Sequence, residues 1–436
     1  MACLGLSASL RIFNDSIRST GARLDGAGAF TQNLRIPNRP SLLGLAYYLQ
    51  GFVRDASAPN GFAFSNGLTL LVGSHGAFEL TPGGLPLAKA GATANRLGDG
   101  TRVFVAGGGT GSLLSPLSVA TTEIFDANTK DFVAGPVLSV ARALHTATTL
   151  ADGRVLVAGG LDAAGFAVAT AEVYDPATNA FTPTGSMGIG RAGHVATLLP
   201  DGRVLVAGGS SDWTDQTSTF GSILDTAELW NPGTGTFAPA GNAMRSKRLA
   251  GAALTLADGR ALVTGGFSGT NIFSTPTITD RADFFSFATN LFSSAGSMQD
   301  DRTVHTLTLL PNGRVLAAGG ASGLLVSATA SAELFDPAAV SWTLTGSMAA
   351  AKAGHRADLL ASGEVLVTGG LQGSLLSPVG IANAEVFTGA GFAATGAMNE
   401  ARGGHMSALL PNGTVMVVGG GPDGSTSSST AEIFVR

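Results

Sequence analysis

The stretch RAGHVATLLPDGRVLVAGG, residues 191–209, packs several signals into one run. It holds one basic residue, one histidine, an Asp-Gly turn, a run of apolar β-formers and a double glycine. Two runs of β-formers around Asp-Gly are a strong local hairpin signal. The stretch is either a catalytic site or scaffold written many times, and its recurrence decides between them. Double glycines after an apolar run occur at Gly107-Gly108, Gly159-Gly160, Gly208-Gly209, Gly265-Gly266, Gly319-Gly320, Gly369-Gly370 and Gly419-Gly420. They are spaced about 50 residues apart, a period that marks a repeat architecture.

Each repeat has one grammar. HVATLLPDGRVLVAGG gives two strands, and AEVYDPATNAFTPTGSM gives two more across a Pro/Asn turn. Over residues 76–436 this grammar resembles the kelch repeat, and the resemblance implies four-stranded sheets arranged radially as a β-propeller. Seven copies of the first three strands are present, and the last ends at AEIFVR without a fourth. Upstream, FELTPGGL at residues 78–85 aligns with FTPTGSM at residues 181–187. The fold is therefore expected to be all-β, a seven-bladed kelch-type propeller at 74–436. Its N-terminal strand would close the last blade and leave only short outer edges. Residues 1–73 do not fit the repeat and resemble the C-terminal fragment of a small all-β module from secreted, multi-domain bacterial proteins.

Composition narrows the function. Apolar residues make up 44% of the 436 and charged ones 13%, which favours a buried core over disorder. A net charge of −5 without any basic run argues against nucleic acid. A single cysteine, Cys3, excludes an internal disulfide framework and a cysteine-based zinc site. The apolar stretch 42–53 contains Gln50 and is shorter than the roughly 18 residues a membrane helix requires. The N-terminus MACLGLSASL has no Lys or Arg before its apolar part, unlike a signal peptide, and reads as a start inside a longer protein.

Three positions recur with charge or imidazole. Basic residues stand at Lys89, Arg142, Arg191, Arg248, Arg302, Lys352 and Arg402. Three residues later come Ala92, His145, His194, Gly251, His305, His355 and His405. Acids open the third strand at Glu123, Glu172, Glu228, Asp283, Glu333, Glu385 and Glu432. Catalysis needs such groups once, in one asymmetric place, so this recurrence reads as fastening: one ion pair per blade or junction, and histidines bonded to neighbouring backbone. In several members of the family, arginines near the channel contact ligands, which makes Arg142, Arg191 and Arg302 candidates for an acidic ligand.

The enzyme types built on this scaffold leave little trace. The galactose-oxidase type implies copper held by tyrosines and histidines with a Cys–Tyr crosslink. Here Cys3, Tyr47 and Tyr48 lie outside the repeats and Tyr174 sits in a repeated strand, so the propeller is read without the copper site. The sialidase Asp box, P-loop, nucleophile elbow and HExxH motifs are missing. A local Arg/Glu/His cluster of the kind a sialic-acid-epimerase-like kelch enzyme needs is not displayed.

Specificity on a repeat scaffold belongs where the copies differ. Most loops after the double glycine are bland, and GSLLSP occurs twice, at 111–116 and 373–378. The loop at 210–225 offers Asp212, Trp213, Asp215 and Phe220, and that at 267–281 offers Phe273, Asn271 and Asp280. Between them, residues 243–251 supply Arg245, Lys247 and Arg248. An exposed tryptophan beside carboxylates and bases has the composition of a carbohydrate or peptide contact. Asp212, Asp215 and Asp225 match no standard calcium loop. The expectation is a non-catalytic binding or scaffold propeller of a secreted or cell-surface bacterial protein. It would be monomeric, without cofactor or metal, and would hold a carbohydrate or protein ligand on its loop face. The rivals are a sugar-modifying propeller enzyme and an intracellular interaction adaptor.

Overall fold

The structure, a computed structural model, describes residues 76–112, 115–213, 223–269, 277–323, 326–374 and 377–436, with strands at 46–49, 52–54, 62–64 and 68–71. The chain divides into two compact units, Met1–Ala77 with Val435–Arg436, and Phe78–Phe434. In the first, Ala46–Leu49 pairs antiparallel with Leu68–Leu71, and Phe52–Arg54 with Phe62–Phe64. No helix among the described residues is long and apolar enough to cross a membrane.

The second unit carries the repeats as seven four-stranded antiparallel sheets, here blades 1 to 7. Blade 3 shows the plan. Val195–Leu198 is innermost, followed by Val204–Ala207, Ala227–Asn231 and Thr236–Pro239. The quoted stretch is thus the inner half of one blade. Its Asp-Gly pair sits in a five-residue connection, residues 199–203, longer than a two-residue hairpin turn. Leu199 in that connection is buried, and Gly202 closes the turn with a positive φ of 84°. The second strand, VLVA, is buried at every residue because neighbouring blades cover both of its faces, which explains its unbroken apolar run. The innermost strands of blades 1 to 7 touch in sequence, and that of blade 7, Met406–Leu409, touches that of blade 1, Thr93–Arg96. Ala77–Leu80 is the outer strand of blade 7, beside Ala431–Val435. Thr81 and Leu85 then bond back to Ala431 and Ser429.

The core lies between blades. Leu156 and Val173 of blade 2 pack with Val204 and Trp230 of blade 3. Phe284 of blade 4 packs with Phe335 and Trp342 of blade 5, and Phe78 joins Phe434 and Val386 at the closing blade. Burying each such side chain contributes roughly 1.5–3 kcal/mol.

Two circuits of backbone hydrogen bonds run around the axis. In the inner one, Leu144 N donates to Gly91 O, Gly193 to Leu144, Ala250 to Gly193, Val304 to Ala250, Gly354 to Val304, Gly404 to Gly354, and Gly91 back to Gly404, over 2.8–3.3 Å. In the outer one, the second glycine of each pair donates to the carbonyl of the next blade's basic residue: Gly108 to Arg142, Gly209 to Arg248, and finally Gly420 to Lys89. The double glycine exists because blades meet there. A Cβ on Gly208 would stand 2.4 Å from Arg248 O, and one on Gly209 would stand 2.8 Å from Ala192 O.

The recurring polar residues fasten these junctions. Each basic side chain pairs with the acid of its own blade, both buried: Arg142–Glu172 at 3.1 Å, Arg191–Glu228 at 2.8 Å, Arg302–Glu333 at 2.9 Å, Lys352–Glu385 at 3.1 Å, Arg402–Glu432 at 2.9 Å, with Lys89–Glu123 and Arg248–Asp283 alike. Arg142 Nη1 also donates to Gly159 O and Thr170 O, while Glu172 accepts from Ser139 N in the connector arriving from blade 1. The pair thereby ties strand, double glycine and connector together.

The histidines add a side-chain partner to the backbone contact expected of them. Each Nε2 meets a threonine hydroxyl of the preceding blade: His145 with Thr93, His194 with Thr146, His305 with Thr264, His355 with Thr306, His405 with Thr368, at 2.8–3.2 Å. A backbone partner within hydrogen-bond range is present at His194, whose Nδ1 lies 3.1 Å from Arg191 O. Thr93, Thr146 and Thr306 open the innermost strand of the preceding blade, and Thr264 and Thr368 end its second strand. Burial, reinforced by the adjacent cations, pushes His145, His194, His305 and His355 down to about 3, and His405 well below its usual value.

Two outcomes follow. Glu172→Gln leaves Arg142 charged and buried, and is expected to cost about 3–5 kcal/mol in denaturant unfolding. The Arg142→Met/Glu172→Leu double variant should recover a large part of that loss, and a single-variant cost below about 1 kcal/mol would remove the fastening role. The imidazoles titrate near 6.5 when unfolded and lower when folded, so between about pH 6.5 and 3 the unfolded chain binds protons that the folded chain refuses. Their stabilisation is complete above about pH 6.5 and is lost as pH falls toward 3. Thermal melts should show the midpoint dropping from about pH 6.5 downward, well before ordinary carboxylates titrate. A midpoint flat from pH 7 to 5 would contradict the buried neutral histidines.

Candidate functional site

With the basic ring and histidines turned to scaffold, the positions where the repeats disagree remain. The inner circuit surrounds the mouth of the central channel, where a cavity of about 490 Å³ opens among the loops that follow the double glycines. All seven circuit residues line it, with Leu249, Phe267, Leu371 and Trp213 around them. Its wall is largely apolar, with threonines, imidazole edges, Gln372, Ser374 and one guanidinium, that of Arg356, as its polar groups.

The circuit requires a left-handed backbone at every step, with φ between 53° and 63°. Glycine meets that freely at 91, 193, 354 and 404. Leu144, Ala250 and Val304 hold the same conformation with a side chain attached, at φ of 54°, 54° and 53°. For a β-branched valine this is a clear outlier.

Arg356 opens the innermost strand of blade 6, where the other blades have Thr93, Thr146, Val195, Ala252, Thr306 and Met406. Its Nε donates to His405 O at 2.7 Å, which anchors the guanidinium plane. Its Nη atoms have no hydrogen-bond partner among the described residues. Asp358 follows two residues on, so both side chains leave the strand on one side. Burial pushes the Asp358 carboxyl up to about 6, against opposing contributions from Ser407 and Arg356, and its Oδ2 has no hydrogen-bond partner among the described residues. Both residues are legible as exceptions once the copies are aligned, one and three positions past the histidine slot.

The loop and ring candidates fall elsewhere. Arg142, Arg191 and Arg302 are fully buried and Arg248 nearly so, with their guanidinium groups bonded to blade carbonyls and carboxylates. They are therefore not ligand contacts, because the blade that presents them also encloses them. Trp213 is 8% exposed and packs with Leu161, Ile223, Leu249, Phe267 and Ile278, so it backs the mouth wall and is not an exposed platform. Asp212 and Lys247 are exposed and do not line the mouth. Asp215, Phe220, Asn271 and Phe273 lie outside the described residues. The two GSLLSP copies fall on paired strands, Gly109–Ser112 with Ser115–Ser118 and Leu371–Ser374 with Ser377–Gly380. The second reaches the mouth through Leu371, Gln372, Gly373, Ser374 and Pro378.

The kelch-motif family profile matches residues 142–188, the length of blade 2. No curated protein matches the chain. Among solved structures, a fungal alcohol oxidase of the AA5 family, determined in complex with copper, is similar at 18% identity with a TM-score of 0.63, over 84% of this chain and 76% of its own. The described residues do not fit copper. They contain no group of three or more His, Cys, Asp or Glu side chains able to hold a metal ion. The propeller histidines are bonded to threonines, and Tyr174 stacks on Phe104 with ring centroids 4.0 Å apart inside the core. The kelch motif is matched in blade 2, and the sheet arrangement of the chain is that of a β-propeller.

Proposed function

We propose that the chain is a non-catalytic recognition module that takes its ligand in the mouth of the central channel. The observation that carries this reading is an apolar concavity of about 490 Å³, within the usual range of ligand pockets, at the place where seven otherwise uniform repeats differ. Its largely apolar lining suits a ligand with an apolar body, such as a protein segment, better than a carbohydrate, whose many hydroxyls would find few partners for the water they lose. The module belongs, on this reading, to a monomeric secreted or surface protein, with residues 1–73 from a neighbouring β-module. Low charge and Ser/Thr/Gly-rich loops support that placement. The rival reading, a sugar-modifying enzyme, draws on Asp358, a raised carboxyl beside a cation.

The test is a peptide and glycan array probed with the chain and with Ala250→Leu. That variant fills the mouth at a position whose counterpart already carries Leu144 in the same conformation. Binding that falls about tenfold or more, with the melting temperature held, supports the mouth. Binding unchanged by the filled mouth would overturn it, and turnover of a sugar lost in Asp358→Asn would favour the enzyme.

A further inference from the structure

We propose that the mouth selects an amphipathic anion: an apolar body lying against Leu144, Ala250 and Val304, and a single carboxylate held by Arg356. This inference deepens the binding reading and rests on it.

The first argument is strain. The inner circuit needs seven left-handed residues, and four of the seven are glycine. Glycine would serve the circuit at the other three with less strain, yet Leu144, Ala250 and Val304 stand there. Backbone held in sparsely populated regions clusters where a ligand is gripped. These three side chains add apolar surface to the cavity wall, which glycine cannot supply. The circuit does not explain them and the cavity does.

The second argument is charge. Every basic residue of the repeated position has a carboxylate partner in its own blade. Arg356 has none within ion-pair distance among the described residues, although it stands at the edge of an apolar cavity. A guanidinium is costly to desolvate, and its planar fork matches a carboxylate through two parallel N–H donors. The Nε bond to His405 O spends one donor and fixes the plane, leaving the Nη atoms for a ligand. One fixed cation on a wall whose other groups are apolar or uncharged fits one negative headgroup on an apolar body. That chemistry is shared by a medium-chain fatty acid and by the C-terminus of a hydrophobic peptide.

The experiment is calorimetric titration of the whole chain with four probes: decanoate, decanol, and N-acetyl-Leu-Leu-Phe with a free or an amidated C-terminus. Decanoate or the free-acid peptide should bind, and whichever binds identifies the source of the carboxylate. Arg356→Met should weaken that binding by about tenfold or more and leave decanol unchanged. Leu144→Gly and Val304→Gly should weaken binding of the apolar body while holding or raising the melting temperature. A purely structural role for those side chains would lower the melting temperature, and that result would overturn the strain argument. Decanol binding as tightly as decanoate, amide binding as tightly as free acid, or indifference to Arg356→Met would overturn the anion. Silence from all four probes would overturn the ligand class. The mouth itself would still be judged by the array with Ala250→Leu, which uses none of these probes.

Discussion

The inner circuit of hydrogen bonds, from Gly91 through Leu144, Gly193, Ala250, Val304 and Gly354 to Gly404 and back, sets the conditions under which the other parts of the propeller are arranged. Each bond joins two blades, and each blade gives one N–H and one carbonyl. The circuit closes only if all seven residues adopt a left-handed backbone, and this fixes where the first strand of every blade begins. The double glycines close a second circuit alongside it, so close that a Cβ on either glycine would strike a carbonyl of the same or neighbouring blade. Blades joined in this way bury their apolar faces against one another.

Ordering the junctions consumes most of the polar chemistry of the chain. Seven buried ion pairs hold connectors against strands, and five histidine–threonine bonds join neighbouring blades. Charges enclosed in this way are costly to strand, which makes them stability residues and removes them from the ligand. Function is left to the departures from the repeat: a guanidinium where the other blades place small, hydroxyl or apolar residues, and three side chains where glycine would suffice.

Much of this was legible in the sequence because its signals are local. The double glycine, the Asp-Gly turn and the alternating strands can be read within twenty residues, and FELTPGGL matched the missing outer strand by its own pattern. The candidate site was less legible because it depends on distance in space. Arg142, Arg191 and Arg302 have the composition of a ligand-binding ring, but the acids that enclose them are 30 to 37 residues away in sequence. Trp213 reads as an exposed platform until Leu161 and Phe267, from the adjacent loops, cover it. Arg356 carried a usable signal as the one cation at the first position of the innermost strand. The conformations of Leu144 and Val304 carried none, since a positive φ at leucine or valine is not written in composition.

Native-state amide hydrogen exchange at the seven circuit residues tests the central claim most directly. If the circuit is one closed unit, the amides of Gly91, Leu144, Gly193, Ala250, Val304, Gly354 and Gly404 exchange only through global unfolding and report one common free energy. If Gly91 and Gly404 exchange by a lower-energy opening while the other five stay protected, the ring is a seam that parts between the first and last blades, and the account of a single closed constraint is wrong.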